Sequence, residues 1–216
     1  MAAAMTYDSL VDDIQAYCER NDAGFVAQIP RLIMLAETRI AAEVKGLGLL
    51  RAVTDDLVAS QQDLAKPARW RETVSLQTST AVGGDVRNML LLRTYEFCRT
   101  FWPDPTQTDL PVYYADWDYQ HWLLAPTPDL AYSYELVYHE RPEPLDDTHQ
   151  TNWTTEYAPQ LLLYACLLEA QPFLKNTERA AVWMQAYAGQ ATAISAENRQ
   201  RMVDRSTLTT KGGQGG

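Results

Sequence analysis

The sequence predicts an α+β fold in which N- and C-terminal helices form a mainly α-helical bundle, with an inserted antiparallel β region and a flexible C-terminal tail. Three observations predict it. Apolar residues recur at steps of three and four near both ends, and in the middle their period drops towards two. The last eleven residues, STLTTKGGQGG, hold a single apolar side chain and cannot be held by a core of their own. The bundle is assigned to residues 1–48 and 150–202, the β-rich region to 49–149 and the tail to 203–216.

Each element has a local cause. Thr6 is placed as an N-cap, and Leu10, Ile14 and Tyr17 follow on one face, which predicts a short amphipathic helix. After a turn at 21–24, a second helix has Pro30 in its first turn and a stripe of Ile29, Ile33, Ala36, Ile40 and Val44, with Gly46 just past its end. From Leu49 onward, Val53, Val58, 74–76 and 89–92 predict strand segments, and Gly83-Gly84-Asp85 predicts a hairpin turn. Thr94 caps a brief helix through Phe101, stopped by Pro103 and Pro105. Residues 111–142 then predict three strands, about 111–115, 119–124 and 131–140, turning at 116–118 and 126–129. One helix over 154–173 is apolar on every side and is expected at the centre of the bundle. A last helix over about 177–201 carries Trp183, Tyr187, Ala191 and Ile194 to cover one side of it.

Composition narrows the function classes. With 46% hydrophobic and 21% charged residues, the chain has the balance of a globular protein. Its longest apolar stretch, 161–168, is far short of the ~20 residues that span a bilayer, and no basic segment followed by an apolar one opens the chain, so no membrane partner is expected. Cys18, Cys98 and Cys166 are odd in number and lack CxxC spacing, which predicts reduced, mostly buried thiols in a cytosolic assembly. The net charge of −10 divides into −3 over residues 1–50, −8 over 51–150 and +1 over 151–216. An acidic body without a basic patch disfavours tight binding to nucleic acid.

Motifs for common chemistries are missing: there is no GxSxG elbow, phosphate-binding glycine loop or HExxH helix, and Gly46 and Gly48 are taken only to end a helix. His121, His139 and His149 lack the helical spacing that presents two metal ligands together. No cofactor or metal is expected. Asp116 and Asp118 flank Trp117 beside Tyr113, Tyr114, Tyr119 and Trp122, so two carboxylates and a stacking platform suggest a glycan-degrading enzyme. A tight turn explains the same aspartates through their own backbone bonds. A nucleic-acid-binding module would use the same aromatics but also needs a basic groove.

Four blocks carry a resemblance to a known family: MTYDSLVDDIQAYCERND, IPRLIMLAETRIAAEVK, the aromatic segment PVYYADWDYQHWLLAPTPDLAYSYELVYHERP, and TNWTTEYAPQLLLYACLLEAQPFLKNTERAAVWMQAYAGQATAI. In this order the chain resembles the head-to-tail adaptor proteins of tailed bacteriophages, and is similar in architecture to the tail tubular A proteins of short-tailed phages. Residues 79–110 and those after Met202 are the least family-like. The resemblance implies a structural virion protein, not an enzyme, assembled in the host cytoplasm. It implies a ring of twelve copies between the portal and the tail nozzle, with tail fibres as a further partner, and DNA passing through without specific binding. Family C-terminal segments reach onto the portal, which makes Arg199, Arg201, Arg205 and Lys211 the candidate portal contacts; arginines near a helix end also simply suit its dipole.

Overall fold

The computed structural model describes residues 4–44, 47–174 and 178–202, with the backbone alone at 47, 178, 201 and 202. In chain order the elements are α1 (Tyr7–Cys18), α2 (Ala23–Val26), α3 (Ile29–Glu43), a 3₁₀ turn (Leu47–Leu49), β1 (Leu50–Asp56), β2 (Asp63–Ala65), β3 (Trp70–Ser79), β4 (Arg87–Met89) and β5 (Leu91–Leu92). There follow α4 (Tyr95–Phe101), β6 (Tyr113–Asp116), β7 (His121–Ala125), β8 (Ser133–Glu140), α5 (Trp153–Tyr157), α6 (Pro159–Leu174) and α7 (Glu178–Met202). They divide into two compact units, residues 1–49 with 142–216 and residues 50–141.

The predicted fold class is overturned. The chain is mixed α/β with two four-stranded sheets, not a mainly helical bundle carrying a minor β insertion. Residues 50–141 have their own apolar core, in which Leu76, Trp122, Leu124 and Leu136 are almost wholly buried. Short strands with period two each give a weak signal, so a sheet built from many of them is barely visible in the residue pattern.

In the helical unit, α1 is opened by a reciprocal cap: Ser9 N–H donates to Thr6 Oγ1 at 3.2 Å and Thr6 N–H donates to Ser9 Oγ at 2.8 Å. Its buried face is Tyr7, Leu10, Ile14 and Cys18, whereas Tyr17, expected inside, is exposed. The stripe of Ile29, Ile33, Ala36 and Ile40 on α3, continued by Val44, is buried throughout; Gly46, expected to end the helix, lies outside the described residues. The expected single helix over 154–173 is two. Pro159 lacks an N–H and forces the preceding residue out of helical geometry, and Ala158 has φ −139°, ψ 45°. Within α6, Leu161, Leu162, Leu163, Leu167 and Leu168 are all buried, and α1, α3 and α7 pack against it.

In the other unit one sheet has the order β1-β8-β3-β4 and the second β2-β7-β6-β5. Two expectations fail here. The three strands predicted over 111–142 do not stay together: β6 and β7 pair, but β8 pairs with β1 and β3 in the other sheet. Pro126 and Pro128 lie directly after β7 and cannot donate to a ladder, so the chain leaves the sheet there. The region is also not wholly antiparallel, because β5 runs parallel to β6.

Candidate functional site

The sequence points first to residues 116–118. Because β6 and β7 are antiparallel with Asp116 opposite Trp122, the chain between them must reverse, and Asp118 closes that reversal. Its Oδ1 accepts the N–H groups of Gln120 at 2.6 Å and His121 at 2.7 Å, and its Oδ2 lies 3.0 Å from His121 Nδ1. The His121 side chain and the Gln120 amide hold the Asp118 carboxyl below its ordinary range. Asp116 is engaged elsewhere: Lys66 Nζ donates to its Oδ1 at 2.7 Å and to the Asp118 backbone carbonyl at 2.8 Å. The Lys66 stem is buried and its ammonium sits 4.2 Å from the Trp70 ring centroid.

Nor do the aromatics form one platform. Successive residues of a strand face opposite ways, so Tyr114 and Trp122 are buried in one core while Tyr113 packs on Phe97 and Trp102. Tyr119 is exposed and bonded to the Arg141 guanidinium. The turn explanation thus holds for Asp118 alone; Asp116 closes β6 and is held by Lys66.

Of the candidate portal contacts, Arg199 is exposed on α7, and Arg201 lies in α7 with its side chain undescribed. Arg205 and Lys211 lie outside the described residues. A pocket of about 460 Å³, unforeseen from the residue pattern, is lined by Gly48, Trp153, Tyr157, Ile194, Glu197 and Asn198. Trp153 and Tyr157, one helical turn apart, stack with centroids 6.2 Å apart. Gly48 does not end a helix: it sits in the 3₁₀ turn where a Cβ would overlap the Trp153 indole. The absence of a side chain is what lets the ring lie there.

A second unforeseen feature is Glu37, inside the apolar stripe of α3 and 8% exposed. Asn152 Nδ2 donates to its Oε1 at 2.7 Å and Leu145 N–H to its Oε2 at 3.3 Å, so one carboxyl ties both ends of the segment entering α5 to α3. Burial pushes its pKa up to about 7, against the pull of those two donors. A charged residue one turn from both Ile33 and Ala41 was the available signal. His149 Nε2 is 3.2 Å from Glu143 Oε2, and His139 is buried. Among the described residues no three His, Cys, Asp or Glu are grouped to hold a metal ion.

These features describe positioning and packing, and comparison supplies the class. The family model for the SU10 adaptor protein matches residues 5–211. The chain belongs to the SU10 adaptor protein family. The match takes in both units and the basic positions from Arg199 to Lys211. The family is one of structural phage adaptors and virion components. No curated protein matches the chain.

Proposed function

We propose that this adaptor builds a closed ring of twelve copies between the portal and the tail nozzle, in the manner of the tail tubular A proteins, and that DNA leaves the capsid through it. The family match across 5–211 carries this reading. The charge of −8 over residues 51–150 supports it, because an acidic lining repels phosphate and lets DNA slide without being held. Under this reading Arg199, Arg201, Arg205 and Lys211 meet the portal, and tail fibres dock on the outside.

The test combines the native mass of the full-length chain, alone and with purified portal rings, and a comparison with a chain ending at Asp204. Rings that bind portal, with weaker attachment of the shortened chain at low salt and a smaller difference at moderate salt, are the expected result. A protein that forms no ring with or without portal overturns the reading. Equal attachment of both chains removes the C-terminal contact and leaves the folded body as the portal-facing surface.

A further inference from the structure

Among the described residues the sheet β1-β8-β3-β4 ends on β1 and β4, whose outer edges pair with no further strand, and the residues of these two edges match in level and in charge. Three neighbouring pairs are antiparallel, so β1 and β4 run in opposite directions. If the sheet continues into a second copy in the same sense, β1 of that copy lies antiparallel to β4, the geometry of an ordinary ladder. The register across the sheet is unbroken at this end. Asp56 stands opposite Ser133, and Asp55 and Thr54 opposite Tyr134 and Glu135. The last two face Thr78 and Gln77, and β3 pairs Gln77, Thr78 and Ser79 with Met89, Asn88 and Arg87. Asp55 with Asn88 and Thr54 with Met89 are therefore at one level on opposite edges, and the same register carried one residue further sets Asp56 level with Arg87.

A copy set alongside at the same level brings an acidic edge to a basic one. Neither Asp55, Asp56 nor Arg87 makes an ion pair among the described residues. Edge strands that stay in water are ordinarily blunted by charge, proline or cover. Besides these charges the β4 edge presents Met89, 54% exposed, and just before it Val86, 68% exposed, while Val58 beyond the end of β1 is 60% exposed. Leu57 and Val86 continue the two edges one level further, through Leu57 N–H to Tyr132 O at 2.8 Å and Thr80 N–H to Val86 O at 2.9 Å.

We propose that neighbouring copies join by strand addition, β1 of one copy pairing antiparallel with β4 of the next so that Asp56 meets Arg87 across the interface. The contact is heterologous, using different surfaces on the two copies, which is the kind that generates rings or open chains and not isolated dimers. The inference rests on the ring reading and supplies its subunit contact.

Directly opposed residues of an antiparallel ladder have Cα atoms about 4.5–5.5 Å apart, within disulfide range. Full-length D56C and R87C chains, mixed under mild oxidation, should form a mixed disulfide that neither chain forms alone; Cys18, Cys98 and Cys166 are buried and do not compete. In parallel, D56R alone and R87D alone should lose the ring, and the double reversal in one chain should regain it. A wild-type ring with no mixed disulfide, or rings unaffected by either reversal, overturns the strand contact and leaves the ring standing. A monomeric wild type with no disulfide overturns both. A monomeric wild type with the mixed disulfide keeps the edge contact and overturns the closed ring. D56C linking to itself overturns the heterologous arrangement.

Discussion

Replacing Glu37 with Gln should change how the stability of the helical unit depends on pH, in a direction set by the geometry. Burial raises the folded-state pKa from 4.5 to about 7, so between these values the folded chain holds a proton that the unfolded chain has lost. Stability from this group is fully present below pH 4.5 and is lost as pH rises through about 7. A shift of this size corresponds to about 3 kcal/mol. Gln is neutral throughout and has no such dependence. Its NH2 group cannot accept from one of the Asn152 and Leu145 donors, as either carboxyl oxygen can, which costs about 1 kcal/mol. The E37Q stability relative to wild type should therefore climb by about 3 kcal/mol between pH 4.5 and pH 8. Urea unfolding followed by helical circular dichroism at several pH values measures it, and every other group cancels in the difference. A difference that does not vary with pH would refute the buried, hydrogen-bonded placement of Glu37.

Two further substitutions test the packing. Leu167 is wholly buried on α6, so L167A should cost about 2–5 kcal/mol in chemical unfolding, and a change under about 0.5 kcal/mol would place that face in solvent. G48A should force the Trp153 ring off the 3₁₀ turn at a cost of about 1–3 kcal/mol, with a shifted tryptophan emission; an unchanged melting temperature and spectrum would contradict the close approach.

Local signals in the sequence specified local structure. The Thr6 cap, the Ile29-to-Val44 stripe, the Thr94 cap and the Asp118 turn are legible because each depends on residues within about one turn of one another. The all-round apolar pattern of α6 likewise predicted a central helix, and its burial follows from there being no polar face to leave in water. Pro159 was also readable, since the residue before proline resists the helix, yet the apolar run hid the break it makes.

Tertiary structure alone decided which strand meets which. Alternation shows that β8 has two faces but not that it leaves β7 for β1 and β3, because any strand edge offers the same backbone donors and acceptors. The parallel pairing of β5 with β6, two and four residues long, is beneath any periodic signal. The candidate residues divide in the same way. Asp116 and Asp118 could be read as a turn, but the Lys66 clamp joins residues 50 positions apart, and Glu37 meets Asn152 from 115 positions away. The level match of Asp56 with Arg87 exists only once three ladders are in register. Such pairings depend on long-range loop closure and shared burial, which no short window of sequence contains.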